Sequence, residues 1–147
     1  MRPGAICSQP GTYALVLACH KTGALRIGEL GTLALHPGVY VYIGSAFGPG
    51  GLAARIKHHG QIAARPHWHV DYLRAGCDLI EVWYTTATTR LEHSWAMALA
   101  RLPGSQVPMP GFGSSDCRCG AHLFRFQRPP PIRTFRRFVQ TTVEVRR

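Results

Sequence analysis

The sequence predicts an α+β domain: a small central antiparallel β-sheet flanked by helices, with a basic C-terminal tail. Three observations predict it. Short runs rich in β-branched and aromatic residues recur at 12–19, 39–43 and 79–86, each bounded by glycine or other turn residues. Between them lie stretches with apolar residues at helical spacing, beginning at Leu52 and at Leu91. The chain has 147 residues, 46% of them hydrophobic, which suits one globular domain with a modest core.

Taken in order, residues 1–10 are a loose lead-in broken by Pro3 and Pro10. Gly11 opens the strand TYALVLAC, apolar enough to be central. Lys21-Thr22-Gly23 is a turn signal. ALRIGEL, 24–30, reads as a partner strand, and 31–38 carry the chain to the VYVYI strand, so an antiparallel meander is expected. Alternation puts Tyr40 and Tyr42 on one face of that strand. Gly44 ends it, and Gly48, Pro49, Gly50 and Gly51 form a turn that few residue types can make. The helix from Leu52 is expected to end near Ala63 or Ala64, because Pro66 disfavours helix before it.

Residues 67–76 read as a second short helix closed by Gly76, and 79–86 as another strand. Thr89-x-x-Glu92 has capping-box spacing for a helix that buries Leu91, Trp95, Ala98, Leu99 and Leu102. Residues 105–120 are a Gly-, Pro- and Ser-rich loop, and 122–126 a last strand. Pro129-Pro130-Pro131 is a stiff spacer, dividing a domain at 1–127 from a Pro/Arg-rich tail at 128–147. The pattern IRTFRRFVQTTVEVRR leaves room in that tail for one more strand.

The net charge is +10 and the pI about 10.2, and Arg supplies 15 of the 17 basic residues. Arginine forks match phosphate oxygens bidentately, and excess positive charge drives nucleic-acid affinity. A GC-rich genome would explain Arg over Lys, but not the excess over acids. Nucleic acid, and DNA first, is the expected partner. No apolar run reaches the length of a membrane span, and the N-terminal residues hold no long apolar stretch of a secretory leader. Five scattered cysteines do not form a secreted disulfide framework. A cytoplasmic, nucleoid-associated protein is expected.

The chemistry concentrates in GVYVYIGSAFGPGGLAARIKHH, residues 38–59. A strand delivers phenols, a tight loop follows with Gly44 and Ser45, and a helix returns Arg55 and His59 four apart on one side, with Lys57 and His58 beside them. A phosphodiester site needs such parts: a charge clamp and groups that move protons. The plain alternative is a half-buried strand and a solvated helix face. His67, Trp68, His69 and Asp71 form a second cluster: ligands or phosphate contacts with a ring to stack on a base, or a packing residue among solvated polar ones. Cys117-x-Cys119-x-x-His122 is a zinc half-site that His67 or His69 would complete, or simply a pair of buried thiols. Ser115 and Asp116 shape the substrate edge or brace their loop.

Gly11-Thr12-Tyr13 and Tyr42-Ile43-Gly44 resemble the two halves of the motif that names the GIY-YIG nuclease superfamily. Arg55 and His59 resemble its arginine and histidine positions, and HWHVDYL and GFGSSDCRCGAHLF resemble a branch found alone or fused to a DNA-repair glycosylase. The resemblance covers about residues 10–126. It implies a metal-dependent endonuclease that hydrolyses DNA phosphodiester bonds, with DNA repair as its setting, against the alternative of a silent nucleic-acid-binding module on the same fold. It implies that Glu92, otherwise a cap of its own helix, holds one Mg²⁺ or Mn²⁺. Arg55 would bind the phosphate; Tyr13 would be the general base, once its pKa is depressed, and Tyr42 would orient it. His59 would contact the phosphate or relay a proton, with His58 as the choice one position off; Tyr40 would take part of the role of Tyr13. The family often has a late asparagine near the site, and this sequence has no asparagine.

Overall fold

Strand β1, Thr12–Cys19, is buried along nearly its whole length and has neighbours on both edges. The computed structural model describes residues 6–114 and 120–147. On one edge β1 pairs antiparallel with β4, Gly38–Ser45, so that Tyr13 faces Gly44 and Leu17 faces Tyr40. On the other it pairs antiparallel with β5, Asp78–Thr85. β6, Leu123–Phe126, adds to β4, and β7, Glu144–Arg146, adds to β5. The order is β6-β4-β1-β5-β7, and every pairing is antiparallel.

Both faces of this sheet are covered. Side chains alternate along each strand, so Tyr13, Leu15, Leu17, Tyr40 and Tyr42 share one face, and Ala14, Val16, Val41 and Ile43 the other. The first face receives Leu52 and Ile56 of α1, Gly51–His59, and Val70 and Leu73 of α2, His69–Arg74. The second receives Trp95 and Leu99 of α3, Glu92–Arg101, and Phe135 of α4, Ile132–Val139. Phe135 is fully buried between Trp83 and Trp95, with ring centroids 5.0 and 5.1 Å away. Burying such a ring contributes roughly 1.5–3 kcal/mol.

Four features differ from the sequence expectation. The meander is replaced. β2, Gly23–Ile27, and β3, Gly31–Leu35, pair with each other as a separate hairpin, and β1 reaches past them to β4. β2 is exposed at most positions, so it lacks the two apolar faces that an inner strand of this sheet requires. Next, α1 stops at His59 rather than near Ala63: Gly60 is its C-cap, with its amide directed to Ile56 O and His58 O. The Thr89 capping box is not made. Leu91 occupies the N-cap of α3, and its amide donates to the buried Thr12 hydroxyl on β1 (3.3 Å). The Glu92 carboxylate is thereby left for other contacts. Lastly, the segment after Pro131 forms a helix ahead of the strand for which its pattern left room, and that strand, β7, joins the sheet beside β5. Gln140, at φ 52°, ends α4, and the Arg136 guanidinium donates to Val143 O (2.8 Å) across the return.

Candidate active site

The site begins where β4 passes into α1. Gly44 lies directly over the Tyr13 hydroxyl; a Cβ there would stand 2.5 Å from Tyr13 Oη. Gly50 and Gly51, at φ 82° and 57°, turn the chain into α1, and a Cβ on Gly51 would strike the Ser8 carbonyl. The first amides of α1 are occupied: Leu52 N donates to Gln9 O and Ala53 N to Cys7 O. One turn on, Arg55 donates from Nη1 to Ser45 O (3.0 Å) and lies 4.2 Å over the Trp68 ring. These contacts hold its guanidinium plane and leave other N–H groups for an anion.

Beneath this lies a buried relay. Tyr13 Oη is 2.8 Å from His59 Nε2. His59 Nδ1 is 3.7 Å from Asp71 Oδ1, an electrostatic contact too long for a hydrogen bond. Asp71 Oδ1 also lies 2.9 Å from His58 Nε2. Its other oxygen accepts the amides of His67 (2.8 Å) and Trp68 (3.0 Å), where the chain enters α2. Burial alone would raise the Asp71 pKa; the His59 imidazole, those two amides and His58 outweigh it and hold the carboxyl far below the usual range. Burial lowers the His59 pKa, against the pull of Asp71. Tyr13 moves opposite to the sequence expectation. Burial, then Tyr42, push its pKa well above 10.0, although Arg55 draws it down.

Above the relay opens a cleft of about 510 Å³. Tyr42, Gly44, Ser45 and Arg55 form one side; His67, Trp68 and His69 another. Glu92 comes from the first turn of α3, its side chain 29% exposed, with His122 Nδ1 3.7 Å from Oε2. His122 is buried, and burial lowers its pKa; among the described residues neither ring nitrogen has a hydrogen-bond partner. Burial also raises the Tyr42 pKa, with Glu92 adding to it. Gly113, at φ 72°, donates its amide to His69 Nδ1 (2.8 Å), and a Cβ there would stand 2.7 Å from the Tyr42 ring.

Nine expected residues thus line one cleft: Tyr42, Gly44, Ser45, Arg55, His67, Trp68, His69, Glu92 and His122. Tyr13 and His59 lie directly behind it, and His58 flanks Asp71. Two stand elsewhere. Tyr40 is buried in the core, its hydroxyl paired with the backbone of His36 (3.2 and 3.4 Å). Lys57 is exposed on the other side of α1, along a separate groove with Ile56 and Leu79. Ser115, Asp116, Cys117 and Cys119 lie outside the described residues. The cleft also holds Arg90, over the Phe47 ring at 4.7 Å, and His93, neither singled out from sequence. A turn arginine carries no periodic signal; His93 was adjacent to Glu92, which was the available clue.

His58, His59 and Asp71 form a cluster that could hold a metal ion, with their ligand atoms within 4.8 Å of one another. Glu92 is a single, partly exposed carboxylate in the cleft beside the His122 imidazole.

The family described as domain of unknown function DUF123 matches residues 12–144, which span the fold from β1 into β7, and the chain belongs to that family. No curated protein and no solved structure matches the chain. No helix among the described residues is long and apolar enough to cross a membrane.

Proposed function

We propose that the protein is a metal-dependent endonuclease of the GIY-YIG type, hydrolysing DNA phosphodiester bonds, with DNA repair in the cytoplasm as its setting. The observation that carries this reading is convergence. Tyr42, Arg55 and Glu92 line one cleft, and a Tyr13–His59–Asp71 chain lies behind it. The positions of Tyr13, Tyr42, Gly44, Arg55, His59 and Glu92 are those of the motif resemblance. The net charge of +10 supports a polyanionic substrate.

In this reading Arg55, held by Ser45 O and the Trp68 ring, binds the scissile phosphate and offsets its developing charge. Trp68 and His67 face the flanking nucleotides. Tyr42 orients the attacking water from the cleft wall, and Tyr13 receives its proton while passing its own phenolic proton to His59 Nε2. Glu92, with His122 beside it, would hold Mg²⁺ or Mn²⁺, which supplies charge neutralisation at a phosphate oxygen.

One observation favours a second reading, a nucleic-acid-binding module without catalysis. Tyr13 is fully buried with a raised pKa, which is unfavourable for a base. The test is cleavage of labelled single-stranded, duplex and branched DNA in Mg²⁺ or Mn²⁺, for wild type beside Arg55→Ala and Glu92→Ala. The endonuclease reading expects cutting by wild type, loss of roughly 100-fold or more in both variants, and retained DNA binding by Glu92→Ala. A folded, DNA-binding wild type that cuts none of the three would establish the binding module instead.

A further inference from the structure

The cluster behind the cleft has a feature that hydrogen bonding alone does not explain. His59 is buried, and among the described residues its Nδ1 has no hydrogen-bond partner. It is directed at Asp71 Oδ1 but stops 3.7 Å away, while His58 Nε2 approaches the same oxygen to 2.9 Å. Two imidazole nitrogens and one carboxylate oxygen therefore lie within 4.8 Å of one another. A tetrahedral zinc ion with bonds of about 2.0–2.2 Å sets its ligand atoms about 3.3–3.5 Å apart. The two separations from Asp71 Oδ1, 2.9 and 3.7 Å, straddle that value.

We propose that His58, His59 and Asp71 form a zinc site, with His58 Nε2, His59 Nδ1 and Asp71 Oδ1 as ligands and a fourth position open to water. The donor chemistry is that of a three-ligand zinc centre, two imidazoles and one carboxylate. Outer contacts are already in place. Asp71 Oδ2 accepts the amides of His67 and Trp68, which fixes the carboxylate, and Tyr13 Oη contacts the far nitrogen of His59. Metal-bound histidines characteristically have such a partner on their second nitrogen. The ion has a way in: His58 is 36% exposed and lines a hollow of about 210 Å³ with Trp68, Pro49 and Arg55.

The zinc site does not rest on the endonuclease reading.

The test is zinc content. The full chain, stripped with chelator, is titrated with zinc, and bound metal per chain is measured by atomic emission after dialysis. Cobalt substitution with a visible spectrum reports ligand type. The expected result is one zinc per chain, and a cobalt spectrum without the near-ultraviolet thiolate charge-transfer band. His58→Ala, at a half-exposed position, should weaken zinc binding by more than about 100-fold, beyond the roughly 10–100-fold that losing an outer partner costs. Asp71→Asn should do the same, with circular dichroism reporting the fold, and the Cys117→Ser/Cys119→Ser double variant should keep full stoichiometry. Substoichiometric zinc in the folded wild type overturns the proposal. So does zinc that survives His58→Ala in a folded chain, or zinc that departs only with the two cysteines. DNA cleavage enters none of these readouts, so failure of the zinc site and failure of the endonuclease reading are distinguishable.

Discussion

The relay and the rim of the cleft are built on opposite terms. In the relay, Tyr13 and His59 are no more than 1% exposed and Asp71 3%. Its side chains hold one another through short contacts between β1, α1 and α2. On the rim, Arg90 and His93 are exposed, and Glu92 is open enough to meet water. The relay is therefore part of the core and its geometry is inseparable from stability. The rim is exchangeable surface whose worth lies in what it binds. One cleft thus divides between residues whose loss unfolds and residues whose loss only silences.

The largest contrast should come from the two acids. Asp71→Ala takes the buried carboxylate from two backbone amides and from the His58 imidazole, at a cost of about 3 kcal/mol or more. Glu92→Ala should stay within about 0.5 kcal/mol of wild type. Denaturant unfolding of both would measure this, and equal losses would erase the distinction between relay and rim.

Gly44→Ala comes next. Its Cβ would lie 2.5 Å from Tyr13 Oη, so Tyr13 must move, at roughly 1–3 kcal/mol. Gly48→Ala, with nothing within 4 Å of its Cβ, is the control, and should leave the unfolding midpoint nearly unchanged.

The pH dependence sharpens the same contrast. His59 and His122 have folded pKa values below the unfolded 6.5, because burial disfavours their charged forms. The unfolded chain therefore binds more protons below that pH, and stability should begin to fall as pH drops through about 6.5. Asp71 is also depressed in the fold, so its contribution is present above the unfolded 3.8 and is lost as pH falls further. Thermal unfolding from pH 8 to pH 3 should show two successive declines. His59→Gln should remove much of the first; an unchanged upper decline would assign it to other histidines.

How much of this was legible follows the range of the contacts. The β4–turn–α1 unit announced itself because its pattern is local: alternating apolar residues, Gly44, the 48–51 turn, then Arg55 and His59 one turn apart. α3 and its buried face were legible for the same reason. What sequence missed is long-range. The jump of β1 over a hairpin to β4 depends on which strands have two apolar faces to bury, not on their order. The capping-box spacing at Thr89 was overridden by the Thr12 hydroxyl, 79 positions away. Asp71 read as part of a second cluster, and only the packing of α2 beside α1 joins it to His59. Burial of Tyr13, which reverses the expected direction of its pKa, needs both sheet faces to be covered, and no local pattern reports that.

The central claim is that the buried relay and the exposed rim act as one catalytic unit. Single-turnover cleavage of labelled duplex or branched DNA by Tyr13→Phe, Glu92→Ala and the double variant tests it most directly, with each protein shown to be folded. Groups that act as a unit are strongly non-additive. The expected result is a loss of about 100-fold or more for each single variant and little further loss in the double. Cleavage by folded Tyr13→Phe at the wild-type rate would contradict the claim, and leave the relay a structural element beneath an independent cleft.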